Sequence, residues 1–310
     1  SKVTTTPFLD TSFDTLKLEF RKHFHNISFE SLLPKNFLLN WHKHALHFNG
    51  ADAPNIRNIE HWFDQRTVEI LICLRSWIEG LASGPEQDIA KVAFAATIRP
   101  ASRASVRTGR LFVDVDKKLP NPLAEFERRL NRMQEALASL TNSPRWRNPE
   151  CTLVIGDARA TGLSDHIADV VFCHPPYFAL YRYSSDPLRF ELEWLRLNRK
   201  AIVAREIEDG FKTTDETLVR NHVMDLGNVI AEGHRIAKPN GRLIIVTADS
   251  TLRKQRLDIL DPLIAEAVKV GWKLERRIVR KVRYAQASYH KSFDSEIQRP
   301  DDEILIFRRE

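Results

Sequence analysis

Asp169-Val-Val-Phe-Cys-His-Pro-Pro-Tyr177 decides how the second half of this chain folds. An acidic residue, four apolar or near-apolar residues and a doubly proline-stiffened corner describe a buried strand that stops abruptly. A similar pattern lies upstream, where Thr152-Leu-Val-Ile155 runs into Gly156-Asp157-Ala158-Arg159. Downstream, Arg242-Leu-Ile-Ile-Val246 is the clearest buried strand, and Lys238-Pro239-Asn240-Gly241 before it reads as a helix end. Helical spacing fills the intervals Asp225 to Ala237 and Asp258 to Val270, the latter closed by Gly271. Trp272 to Val282 and Glu303 to Arg308 read as two more strands joined by a long polar loop. Strand–helix–strand alternation with a terminal strand pair predicts an α/β sheet with helices on both faces. In such sheets ligands bind at the carboxyl ends of strands, where the Gly156–Arg159 and His174–Tyr177 segments both fall.

Outward from there the character changes. Residues 1–150 read as a mainly helical region, and 151–310 as the α/β part. Leu16, Phe20 and Phe24 recur at helical spacing. So do Trp62, Val68, Leu71, Ile72, Arg75 and Ile78, with Asn58 or Asn55 as the expected cap. A third helix is expected over Glu86 to Ile98, stopped by Pro100. A fourth follows Pro120-Asn121-Pro122 through Phe126, Leu130, Met133 and Leu137, with Glu125, Glu127, Arg128, Arg129 and Arg132 on a solvated face.

Composition narrows the classes. Among 310 residues, 47 Lys+Arg against 41 Asp+Glu leave a net charge of +6, and 43% hydrophobic residues suffice for a sizeable core. No apolar run approaches the ~18 residues of a membrane helix. Cys73, Cys151 and Cys173 form no CxxC pair, which excludes a disulfide scaffold or zinc ribbon and suits a reducing cytoplasm. His23, His25, His42, His44 and His47 lack the spacing of a zinc site and read as ordinary helix residues. Only 11 glycines occur, with no GxG pair, so the chain lacks the usual glycine loop that brings backbone close to a phosphate or nucleoside. The chain starts at Ser1, without an initiator Met.

The Pro-Pro-Tyr corner suits a specific task. Two prolines remove two backbone donors and leave carbonyls with no adjacent amide to satisfy them. A planar group bearing an NH2 would find acceptors in the Pro175 carbonyl and a His174 nitrogen, and a stacking partner in Tyr177. The plainer alternative is a rigid turn with Tyr177 packed for stability.

In order and spacing, Gly156-Asp157-Ala158-Arg159, His174-Pro175-Pro176-Tyr177 and the following strand resemble the S-adenosylmethionine-dependent DNA amino-methyltransferases. That resemblance extends over Thr152 to Arg308, and Tyr181, Tyr183 and the Glu191–Leu195 segment continue it. It implies a Rossmann-like class I methyltransferase sheet, incomplete in this chain. It implies methyl transfer to the exocyclic amine of a flipped cytosine (N4) or adenine (N6) in double-stranded DNA. Carried over by position, Asp157, Ala158, Cys173 and His174 lie on the cofactor side. His174 and Pro175 accept the target amine, Pro176 stiffens the corner, and Tyr177 stacks on the base with Tyr183 bordering the pocket. The family has Asp, Asn or Ser where His174 stands; a neutral imidazole accepts a hydrogen bond and a protonated one does not.

The family's glycine loop is absent, so a second protein chain is expected to supply it together with central strands. This chain is then the C-terminal part of a split or truncated enzyme. Expected DNA contacts are Arg99, Arg103, Arg107 and Arg110, set against local ion pairing, and Arg283, Tyr289 and Lys291, set against an edge strand protected by charge. Methylation of RNA or of a protein glutamine amide, and a non-catalytic DNA-recognition subunit, are the competing readings.

Overall fold

A computed structural model describes residues 10–25, 47–48, 51–107, 111–142, 151–178, 183–207, 216–252, 255–281 and 301–310. The chain divides into two compact units. The first comprises residues 1–106, 111–153 and 188–199, and the second the remainder.

The helical unit forms because its apolar residues keep a 3.6-residue period. Helix α1 (Asp10–His25) buries Phe13, Leu16, Phe20 and Phe24. A short antiparallel strand pair follows, β1 (His47–Phe48) with β2 (Ala51–Asp52). The second expected helix is two: α2 (Ile59–Trp62) and α3 (Gln65–Gly80). Asn58, one of the two expected caps, stands at the N-cap of α2 without a side-chain cap bond, and α3 is capped by Asp64, whose carboxylate accepts from the Thr67 amide. Helix α4 (Pro85–Ala101) passes through Pro100 and ends one residue later. Lys117 Nζ donates to the carbonyls of Arg99, Ser102 and Ala104 around that end, at 3.0, 2.7 and 2.7 Å.

Helix α5 (Pro122–Thr141) starts where expected, capped by Asn121. Glu125, however, is not on its solvated face: it is 5% exposed and clasped by Arg128 and Arg129. Burial draws its carboxyl upward, but the two guanidiniums outweigh this and hold it below the ordinary value.

The contacts also carry residues 188–199 back to this unit. Phe190 and Trp194 of helix α6 (Arg189–Trp194) are fully buried against Trp62, Phe63 and Phe94. Arg75, 2% exposed, donates to the Trp194 carbonyl and lies 5.8 Å from that ring centroid.

The second unit holds the expected sheet, starting with β3 (Ala168–Cys173). After helices α7 (Arg199–Arg205) and α8 (Glu216–Ile236) comes β4 (Ala237–Thr247), parallel to β3. The hairpin β5 (Ser250–Leu252) and β6 (Gln255–Leu257) leads to α9 (Leu260–Lys269), β7 (Trp272–Arg280) and β8 (Asp302–Arg309). The sheet order is β3-β4-β8-β7, with β8 antiparallel to both neighbours, so β3, β4 and β7 share one direction.

The helix before segment 238–241 does end there, at Ile236, and the segment itself is an irregularity inside β4. Ala237 pairs with Ala168 and Arg242 with Val170, so the four intervening residues bulge out. Asn240 turns with φ 63°, and Gly241 lies so close to β3 that a Cβ there would sit 2.8 Å from the Lys238 carbonyl and 3.2 and 3.3 Å from those of Ala168 and Asp169.

Alternation sorts the sheet's faces. Leu243, Ile245, Leu305 and Phe307 are buried under Leu226 and Ile230 of α8 and Leu260, Leu263 and Ala267 of α9. The other face carries Phe172, Ile244 and Ile306 in one row and Val246, Ile304 and Ile278 in the next. Phe172 is 66% exposed and Val170 54%. Helices were expected on both faces; among the described residues they cover one.

Thr152–Ile155 is likewise no strand, and all four residues are exposed. An apolar run becomes a strand only with a neighbour, and no described strand pairs with it.

Candidate active site

One face of α8 gathers the motif segments. His222, Asp225, Leu226 and Val229 lie at i, i+3, i+4 and i+7, the spacing that aligns side chains along a helix. The Phe178 ring, just after the corner, meets the His222 ring edge-on at 5.2 Å between centroids. Ser250 Oγ fixes the same residue by donating to the Phe178 carbonyl at 2.8 Å. Leu226 and Val229 line a small apolar cavity of about 20 Å³ with Val171, Cys173, Pro175 and Leu263. Asp225 receives Arg159 at 2.8 Å. Both sequence motifs are therefore held on adjoining turns of one helix.

At the corner itself, Pro175 is buried, Pro176 and Tyr177 are half-buried and His174 is exposed. His174 Nε2 and the Tyr177 hydroxyl are 3.1 Å apart, their rings nearly perpendicular at 81°. The two candidate residues thus engage each other. Cys173 faces the helices; burial pushes its thiol upward, so it sits as a small apolar wall.

The Asp157 loop is laced along α8. Asp157 takes the Arg159 amide and Nε on Oδ1, at 2.9 and 3.0 Å, and Nη2 on Oδ2 at 2.8 Å. These bonds to Arg159 draw its carboxyl down to about 2. Further along, Thr161 donates its amide and hydroxyl to Glu232. Arg235 holds Glu232, Asp165 and the Leu163 carbonyl. Ala158 is exposed at the turn. The sequence offered no signal for this lacing, because Arg159, Glu232 and Arg235 look like ordinary surface charges.

The basic candidates fare differently. Arg99 folds back, Nε and Nη2 donating to the Ser105 carbonyl at 3.1 and 2.9 Å. Arg103 is set into a turn, its amide bonded to Trp62 O and Nη1 to Glu60 O. Arg107 is exposed, and so is Tyr183, at 44%. Arg110, Tyr181, Arg283, Tyr289, Lys291, His42 and His44 lie outside the described residues. His23 packs against Phe24 and Trp77. Among the described residues no group of three or more His, Cys, Asp or Glu is placed to hold a metal ion, and no helix is long and apolar enough to cross a membrane.

No family model matches the sequence, and no curated protein matches it. Three solved structures of a proposed DNA modification methylase from Thermus thermophilus are similar over 50% of the chain at 18% identity. They are a selenomethionine derivative with TM-score 0.30, a complex with S-adenosyl-L-methionine at 0.32 and a third form at 0.30. The matched part spans about half of those chains, 50%, 54% and 52% of each.

Proposed function

We propose that this chain carries the target-amine side of an S-adenosylmethionine-dependent methyltransferase acting on the exocyclic nitrogen of a flipped cytosine or adenine in DNA. The observation that carries the reading is the His174–Tyr177 corner at the carboxyl end of β3, held beside the Asp157 loop by one face of α8.

The chemistry follows from the residues. An aromatic amine is a weak nucleophile because its lone pair is delocalised into the ring. The Pro175 carbonyl and a neutral His174 nitrogen accept its two hydrogens and draw the nitrogen toward a pyramidal geometry. Tyr177 stacks on the base and fixes its plane, so the nitrogen approaches in line. A paired base cannot reach this corner and must leave the stack. When bound, S-adenosylmethionine supplies a methyl already activated by its sulfonium. Asp157 fits the adenine side: three of its roughly four lone-pair sites serve Arg159, leaving one for an exocyclic N–H. The proton released on methylation passes to His174, whose exposed ring returns it to water.

A second polypeptide bearing the glycine loop completes the enzyme in this reading. Supporting it are the outer edge of β3, unpaired among the described residues, and the exposed Phe172 and Val170. The strand-like run at 152–155 adds to this, being exposed along its length. Sheets rich in parallel strands are ordinarily covered on both faces, and open edges invite pairing.

Methyl transfer to duplex DNA, with and without a candidate glycine-loop chain, tests the proposal. Transfer is expected only in the mixture, and a stable monomer that binds S-adenosylmethionine tightly alone contradicts the split.

A further inference from the structure

Two loops of the candidate site are tied to consecutive residues. The Ser184 amide donates to Oε1 of Glu206 at 2.9 Å, and its hydroxyl donates to Oε2 at 2.9 Å, across 22 positions of sequence. Ser184 is completely buried and directly follows Tyr183, which the methyl-transfer reading sets at the border of the target side. One residue before Glu206, the Arg205 carbonyl accepts from Arg159 Nη2 at 3.0 Å. That guanidinium also grips Asp157, on the cofactor side, and Asp225 of α8. The corner is itself anchored, since the Glu206 amide donates to the Ile202 and Val203 carbonyls at the end of α7.

We propose that Arg205–Glu206 is a positioning corner that couples the Asp157 loop to the Tyr183–Ser184 turn, so that ordering either one orders the other. What the two sides bind rests on the methyl-transfer reading; the coupling rests on these bonds alone. A contiguous hydrogen-bonded chain is a physical route for such coupling, and its effects run equally in both directions. A turn built only for local stability would not need its clasp to sit next to the support of the other loop.

Amide hydrogen exchange on the full chain tests it without cofactor or DNA. Glu206→Ala is expected to speed exchange about tenfold at Ser184 and also at Arg159, whose amide bonds Asp157. Glu206→Gln should keep both protected, since its carbonyl oxygen accepts from the Ser184 amide and its NH2 donates to the hydroxyl. Faster exchange at Ser184 with Arg159 unmoved overturns the coupling. Should Glu206→Ala fail to fold, Arg159→Lys gives the reverse measurement: exchange at Ser184 rises if the corner transmits, and an unchanged rate refutes it. The heat of S-adenosylhomocysteine binding to the completed enzyme tests the methyl-transfer reading separately.

Discussion

Replacing Glu232 with Gln tests whether the Asp157 loop is held by charge. Glu232 is 9% exposed, takes the Thr161 amide and hydroxyl, and receives Arg235 through both oxygens. The Arg235 guanidinium, joined by the Thr161 donors, outweighs burial and holds the carboxyl at about 2, against an ordinary 4.5. A hydrogen bond to a charged group contributes about 1.5–3 kcal/mol when shielded from water. Arg235 is 37% exposed, so the pair belongs at the low end of that range, and glutamine retains a bond to Thr161.

The net loss is therefore about 1 kcal/mol near neutral pH. Its pH dependence has a fixed sign. The native carboxyl is depressed, so the ionic contribution is complete above about 4.5 and disappears as pH falls toward about 2. Urea titrations followed by hydrogen exchange of the β4 amides report this unit alone. Wild type and Glu232→Gln should differ most near neutrality and converge in acid. An equal gap at about pH 7 and about pH 3 would show that shape, rather than charge, holds the loop.

Other substitutions separate the remaining features. Glu125→Ala should cost the helical unit about 2 kcal/mol, read by helix circular dichroism, because it strips a buried carboxylate from two arginines that water then reclaims. Phe172→Ser should leave the isolated chain within about 0.5 kcal/mol of wild type while abolishing activity in the mixture with a partner, since that ring is 66% exposed. Phe307→Ala, on the covered face, should cost about 3–5 kcal/mol. Tyr177→Ala should end methyl transfer, whereas Tyr177→Phe keeps the stacking ring and should retain it; transfer surviving in Tyr177→Ala would redirect the search for the target site.

Continuous apolar runs made β3 and β4 legible, because buried parallel strands need little else. The same logic misled at Thr152–Ile155, where composition suits a strand but pairing depends on a neighbour that the run itself cannot specify. Lys238-Pro239-Asn240-Gly241 carries every mark of a stop, yet the chain resumes its pairing beyond it. Glu125 shows the limit of helical periodicity, which sorts apolar from polar but does not see two arginines folding over a carboxylate. The corner at His174–Tyr177 was visible as a motif. Its supports were not, since Arg159, Glu206 and Glu232 act through partners 22 to 71 positions away.

Gly241 has a bearing on genetics. Any side chain there presses on the carbonyls of Ala168 and Asp169, and so on the base of the strand whose far end presents His174. A saturation screen for loss of function would therefore score Gly241 as intolerant as the pocket itself, although it touches no reactant. Second-site revertants of such alleles should cluster in the opening residues of β3, not around the prolines, which distinguishes a displaced strand from a damaged pocket.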